Sequence, residues 1–297
     1  MKKNDGLVQR HRQSFPLWRL CFVTLTCIFL IGTLMIGSSA SVVFPEDSAP
    51  TKVYLDGNEV LAGECIILQS VTYVPLRNFC NLFEDCKITW DSKTSTATVR
   101  TEDLLLTVQS GAIYITANGH YYYTVEAVRN LNGHLYVPIR PLAKAFAAEL
   151  SWNAATRSVE LHAAKNGVNA VPYANYNQDD LYWLSRIISA ESRGEPLLGQ
   201  IAVGNVVLNR VKSSSYPNTI YGVIFDRKHG TQFSPVALGT IYNKPAASSV
   251  IAAKICLEGY SLSDSALFFL NPRIATNNWI VKNRQFAFRI GNHDFYN

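Results

Sequence analysis

The chain has 297 residues, of which 48% are hydrophobic and 16% charged, and a formal net charge of +5. Such a length accommodates two domains of ordinary size, each with its own core. The positive excess suits an anionic partner such as a cell wall, a nucleic acid or a lipid surface. No basic run or aromatic-basic motif marks a nucleic-acid module, no Gly-rich loop marks a nucleotide site, and six cysteines at these spacings are not a disulfide scaffold.

The first element is an export signal. Lys2, Lys3, Arg10, Arg12 and Arg19 precede an almost uncharged apolar run from Leu20 to Ile36, and Ser38 and Ala40 occupy the two positions that a signal peptidase reads. Residues 1–40 are therefore expected to be a signal peptide cut after Ala40, or an uncleaved anchor with its amino terminus in the cytoplasm. Either way residues 41–297 lie outside the membrane, and most nucleic-acid roles are excluded. Cys21 and Cys27 fall in the signal, leaving Cys65, Cys80, Cys86 and Cys256, with Cys80 and Cys86 near enough in sequence to bridge in an oxidising compartment.

An internal repeat follows. Thr72-Tyr73-Val74-Pro75-Leu76-Arg77, Phe83, Lys87-Ile88-Thr89-Trp90-Asp91 and Thr96-Ala97-Thr98-Val99 recur as Leu135-Tyr136-Val137-Pro138-Ile139-Arg140, Phe146, Glu149-Leu150-Ser151-Trp152-Asn153 and Arg157-Ser158-Val159-Glu160-Leu161. Each copy predicts a strand, a helix started by proline, and a two-stranded hairpin with Trp90 or Trp152 before its turn. Over residues 52–163 the pattern resembles the copper amine oxidase N-terminal-like domain, a module that accompanies exported bacterial catalytic domains. The resemblance does not imply copper: His120, His134 and His162 lack ligand spacing, so a protein-interaction or wall-binding module is the expectation. Tyr121-Tyr122-Tyr123 offers rings that can stack on glycan, although strand alternation buries at least one of them. Residues 164–177, including Lys165-Asn166-Gly167-Val168-Asn169, read as a linker.

From residue 178 the pattern turns helical. Leu181, Leu184, Ile187 and Ile188 form one apolar stripe, and Glu191 continues that stripe at i+3 from Ile188 and i+4 from Ile187. A carboxyl on a buried face loses hydration and its pKa rises, which suits a general acid; the alternative is an ion pair with Arg186 or Arg193. Gly194 can stop this helix and Pro196 can start a second, in which Ile201, Val203, Val206, Val207 and Val211 alternate with Gly204, Asn205, Asn209 and Arg210 up to about Lys212.

Ala190-Glu191-Ser192-Arg193-Gly194-Glu195-Pro196, Gly199-Gln200-Ile201-Ala202-Val203 and Val206-Val207-Leu208-Asn209-Arg210-Val211 resemble the catalytic domain of SleB-like spore cortex-lytic and cell wall hydrolases. Tyr216-Pro217-Asn218-Thr219-Ile220, Gln232-Phe233-Ser234, Phe269-Leu270-Asn271-Pro272 and Ile290-Gly291-Asn292-His293 follow in the family's order, so the resemblance spans residues 178–297. It implies cleavage of the glycan between N-acetylmuramic acid and N-acetylglucosamine, with Glu191 as the catalytic glutamate and no cofactor.

One carboxylate suffices for a lytic transglycosylase, whereas a hydrolase normally needs a second at about 5 to 9.5 Å. Glu195, Asp226, Asp264 and Asp294 are candidates that spacing does not separate, with capping of the next helix as the alternative for Glu195. Gln232 and Ser234 belong to a loop or short strand expected to bind substrate, or else to a turn around a buried Phe233. Asn271 enters a turn and is expected to bind substrate, and Trp279, read as a loop residue, is placed either to stack on a pyranose or to pack in the core. His293 is expected to hold the C-terminal hairpin by hydrogen bonds and is counted among the substrate-binding residues, with a direct catalytic role as the alternative. A zinc amidase would need ligand spacing that His229 and His293 do not provide, so no metal is expected, and Cys256 sits in a helix-core pattern.

The expected fold class is therefore α+β: an N-terminal tandem-repeat α+β domain, then a lysozyme-like, mainly helical α+β catalytic domain. The expected partner is peptidoglycan, with a wall or protein partner for the first domain and a membrane only through the N-terminal segment. The rival expectations are a non-enzymatic wall-binding or scaffold protein and a cell wall amidase.

Overall fold

The computed structural model describes residues 44–83, 86–228 and 232–297. The signal or anchor expected at residues 1–40 lies outside the described residues, as does His229. Among the described residues no helix is long and apolar enough to cross a membrane. Residues 44–297 form one compact unit.

The first part is β-rich: β1 (Ala49–Pro50), β2 (Lys52–Leu55), β3 (Asn58–Val60), β4 (Ile66–Leu68), β5 (Val71–Pro75), α1 (Leu76–Cys80), β6 (Lys87–Asp91), β7 (Thr96–Arg100), β8 (Leu105–Gln109), β9 (Tyr114–Ala117), β10 (His120–Tyr123), β11 (Arg129–Leu131), β12 (His134–Pro138), α2 (Ile139–Ala145), β13 (Glu149–Asn153) and β14 (Ser158–His162). The two repeat copies are β5-α1-β6-β7 and β12-α2-β13-β14, each helix beginning directly after the proline that ends its strand. They meet about a local twofold: β5 and β12 pair antiparallel with the equivalent residues Val74 and Val137 directly opposite. The equivalent Phe83 and Phe146 stack with ring centroids 4.9 Å apart. Repetition in sequence thus becomes symmetric burial, since neither copy can cover its apolar face alone. Cys80 and Cys86 are not joined by a disulfide.

The second part contains α3 (Gln178–Ser192), α4 (Leu197–Lys212), α5 (Ile220–Phe225), α6 (Ser234–Ala237), a 3-10 turn at Thr240–Tyr242, α7 (Ala247–Leu257), β15 (Phe268–Leu270), α8 (Trp279–Asn283), β16 (Phe286–Ile290) and β17 (His293–Tyr296). Asn177 caps α3 by accepting from the Asp179 and Asp180 N–H groups, and Leu184, Ile187 and Ile188 form its buried face. The central helix α4 is buried along most of its length, so its polar residues need partners inside the protein. Asn205 donates to Tyr260 O (2.8 Å), and Asn209 donates to Ser263 O (2.7 Å) and Ala266 O (3.0 Å), fastening the segment that leads into β15. Gly204 lets the helices approach: a Cβ there would lie 2.8 Å from Ile188 Cδ1 on α3 and 2.7 Å from Cys256 Sγ on α7. β17 lies between β15 and β16, both antiparallel to it.

The tyrosines of β9 and β10 join the two parts and are not free to stack on glycan, which corrects the expectation for Tyr121-Tyr122-Tyr123. Tyr121 lies under Lys254 Nζ at 4.6 Å from the ring centroid, Tyr123 packs against Tyr260 at 4.1 Å, and Tyr122 is buried. The presumed linker is bonded to both sides. Asn118 donates to Val171 O (2.7 Å), His120 Nε2 lies 3.0 Å from Pro172 O, and the Tyr176 hydroxyl donates to Glu258.

Candidate active site

The helical periodicity that placed Glu191 on the buried face of α3 is realised in the fold, where the residue is half-buried in the last turn of the helix. Burial pushes its carboxyl up to about 7, and the Arg210 guanidinium pulls in the opposite direction. No hydrogen bond or ion pair from a described residue engages the carboxyl. The alternative of an ion pair with Arg186 or Arg193 is corrected: Arg186 lies over the Tyr182 ring at 3.6 Å, Arg193 is exposed, and the one charge acting on Glu191 among the described residues belongs to Arg210.

Arg210 projects from α4 and is buried. Its Nε donates to Leu267 O (2.8 Å), and its guanidinium carbon lies 5.1 Å from the Tyr216 and Phe233 ring centroids and 5.6 Å from that of Phe268. Nη1 is buried with no hydrogen-bond partner among the described residues. Burial lowers the Arg210 pKa, opposed by Tyr216, Asp226 and Glu191. The sequence reading placed Arg210 on the polar side of α4 and assigned it no role. A signal was present, since Asn205 and Asn209 share a face and Arg210 stands next to them on a helix that is mostly apolar.

The other predicted residues fall into two groups. Phe233 is buried against Arg210, so the neighbouring Gln232 and Ser234 border the same region; Ser234 is exposed and begins α6, where a loop or short strand was expected. Trp279 is 49% exposed, begins α8 rather than lying in a loop, and meets Phe268 edge-on with centroids 6.3 Å apart. Phe268 therefore touches both Arg210 and Trp279. Asn271 serves the turn after β15, its Oδ1 accepting from Arg273 N (3.0 Å) and its carbonyl from Ala275 N (3.0 Å). His293 does not hold the hairpin by hydrogen bonds as expected. It is buried edge-on against Phe269 at 5.4 Å, its Nδ1 has no partner among the described residues, and burial lowers its pKa.

The four alternative acids are differently placed. Glu195 accepts from Asn292 N (2.9 Å) and Asn292 Nδ2 (3.0 Å), and although burial works against it, these bonds and His293 hold its carboxyl below the ordinary value. Asp294 is buried and paired with Arg289, whose Nη2 donates to Oδ2 (2.7 Å). Asp226 accepts from Lys228 N (2.9 Å) and faces Arg210, and Asp264 is exposed. Glu191 therefore differs from Asp264 in its desolvation, and from the other three also in having no hydrogen bond or ion pair from a described residue. Among the described residues no group of three or more His, Cys, Asp or Glu side chains is arranged to hold a metal.

The Cell Wall Hydrolase family profile matches residues 194–296, beginning just after Glu191, and the Copper amine oxidase N-terminal domain profile matches residues 54–161. A spore cortex-lytic enzyme of Bacillus cereus is 42% identical over 120 residues, 40% of this chain and 45% of that protein. One from Bacillus subtilis is 38% identical over 120 residues, again 40% of this chain and 38% of that protein. The solved catalytic domain of the germination-specific lytic transglycosylase SleB from Bacillus anthracis is 41% identical, with 43% of this chain covering 100% of that one at a TM-score of 0.38. The chain thus spans less than half the length of these curated relatives. The chain therefore carries a segment at residues 194–296 that matches the Cell Wall Hydrolase family, behind one at residues 54–161 that matches the Copper amine oxidase N-terminal domain.

Proposed function

We propose that this chain is an exported peptidoglycan-lytic enzyme that cleaves the bond between N-acetylmuramic acid and N-acetylglucosamine as a lytic transglycosylase. The observation that carries the reading is Glu191: a desolvated carboxyl with no hydrogen bond or ion pair from a described residue, pushed up to about 7. Such a group is populated in both protonation states near neutrality, as a residue that must first donate and then accept a proton requires.

In the first step the Glu191 carboxylic acid gives its proton to the glycosidic oxygen, the bond to the anomeric carbon breaks, and the leaving sugar departs as an alcohol. Positive charge then lies on the muramic ring beside the new carboxylate. In the second step that carboxylate takes the proton of the ring's own 6-hydroxyl, whose oxygen closes on the anomeric carbon to give a 1,6-anhydro product. Glu191 ends protonated, ready for another cycle. No water is consumed, so no second carboxylate is needed to activate one. Gln232, Ser234 and Trp279 are proposed to contact the glycan, with the half-exposed indole as a stacking face. His293 and Asn271 are assigned support of that wall.

The names of the relatives favour spore cortex over vegetative wall as the substrate, and the basic leader with its apolar run favours export. Mass analysis of the fragments released from purified sacculi tests the reaction: anhydro-muramic ends are expected, and reducing ends from the same bond would replace the transglycosylase with a hydrolase. Release of peptides alone would indicate an amidase.

A further inference from the structure

We propose that Arg210 is a positioning residue for Glu191: a permanently charged guanidinium locked in an aromatic cage, which balances the carboxyl between its proton-giving and proton-taking states. The proposal rests on the reading of Glu191 as acid and base and extends it to a residue to which that reading assigned no role.

Three features of the structure support it. The guanidinium is fixed: Nε is bonded to Leu267 O (2.8 Å), and the rings of Tyr216, Phe233 and Phe268 surround it at 5.1, 5.1 and 5.6 Å. One nitrogen is also left over, because Nη1 is buried without a hydrogen-bond partner among the described residues. A buried donor with no acceptor costs stability, and such costs tend to persist where a site uses them. Finally, Arg210 is the one charge that acts on Glu191 among the described residues, and the two do not form an ion pair. The groups facing Arg210 are Tyr216 after α4, Asp226 after α5 and Glu191 on α3.

A fixed cation that acts on Glu191 without pairing with it suits a two-step proton transfer. As Glu191 loses its proton to the glycosidic oxygen, negative charge develops in a poorly hydrated place, where a fixed cation stabilises it and so strengthens the acid. A direct ion pair would hold the carboxylate too firmly for it to recover a proton from the 6-hydroxyl. Arginine suits this task better than lysine, because its charge survives burial and its planar head can be gripped by rings.

The test compares pH profiles of the full chain acting on purified sacculi. Arg210→Met keeps most of the volume and removes the charge; Arg210→Gln retains a donor for the Leu267 carbonyl and replaces it if methionine does not fold, as judged by near-UV circular dichroism. The high-pH fall of kcat/KM reports loss of the acid form. In the neutral variant it should move upward by about one pH unit or more, because an opposite charge nearby normally depresses a carboxyl by that order. The optimum rate should fall at least about tenfold. Arg210→Lys should bring the fall back toward the parent's pH. A folded neutral variant whose high-pH fall coincides with the parent's would overturn the proposal, as would a lysine variant that shifts it as far as methionine does. Full activity in Glu191→Gln would remove the underlying reading along with this one. A parent-like profile in the neutral variant alongside an inactive Glu191→Gln would remove this proposal alone.

Discussion

Glu195 and Asn292, distant in sequence, are joined by two hydrogen bonds, the Asn292 N–H donating to Oε2 at 2.9 Å and its side-chain amide to Oε1 at 3.0 Å. This pair ties the turn between α3 and α4 to the turn between β16 and β17, so the element that carries Glu191 is anchored to the C-terminal sheet. Gly291 is required there: its φ is +56°, and a Cβ on it would run into the Glu195 carboxylate. Gly291→Ala should lower stability by about 1–3 kcal/mol, measured by denaturant unfolding. Parent-like stability would mean that the turn relaxes freely.

The same pair gives a pH dependence of known sign. Glu195 has a depressed pKa, so its contribution is present above the ordinary carboxylate range and disappears as pH falls through the lowered value. Because the group is well solvated, the contribution is about 1 kcal/mol or less. The melting-temperature gap between the parent and Glu195→Gln should therefore close as pH falls from 6 to about 3.

Glu191 has the opposite sign. Its carboxyl is raised to about 7, so its protonated form favours the fold most below the unfolded value, and that advantage is lost as pH rises through 7. Glu191→Gln cannot ionise; it should match the parent near pH 4 and exceed it by about 1–3 kcal/mol at pH 8. Turnover should fall by about two to four orders of magnitude because no proton can be given or taken. A variant that loses stability at pH 8 but keeps activity would make Glu191 a structural residue.

Gly204 sits where α3, α4 and α7 converge, with Ile188 and Cys256 too close to admit a side chain without movement. Gly204→Ala should cost about 1–3 kcal/mol through overpacking. Because the displaced Ile188 lies one helical turn before Glu191, a drop in kcat should accompany the loss. Unchanged kcat in a destabilised variant would show that the strain is absorbed on the α7 side.

Glu258 links the two domains: its Oε1 lies 2.8 Å from His120 Nδ1 and accepts from the Tyr176 hydroxyl. Glu258→Ala should leave His120 Nδ1 without its partner and the Tyr176 hydroxyl with only the longer bond to Gly119 O (3.3 Å), costing about 1–3 kcal/mol, and should expose the segment around residue 172 to limited proteolysis. If cleavage there is no faster than in the parent, the tyrosine contacts alone hold the domains together.

Periodicity along the chain was enough to place Glu191 on a buried helical face and to foresee its raised pKa, because α3 is long and the period of 3.6 is unambiguous over its apolar stripe. The repeat was equally legible, since Tyr-Val-Pro recurs with the same spacing to Phe and Trp and each proline starts a helix at the next residue. Short-range pattern does not reveal which distant surface covers a given face. It offered Arg186 and Arg193 as partners for Glu191, being near in sequence, whereas the charge that reaches it comes from Arg210 on the following helix. It left Glu195 among four equivalent acids, although a turn nearly a hundred residues later takes up its carboxylate. Likewise it presented Tyr121 and Tyr123 as free rings, which α7 and Tyr260 cover. A residue's face follows from the rotation of its own element, and sequence determines that; its partner follows from how elements pack, which only the tertiary structure decides.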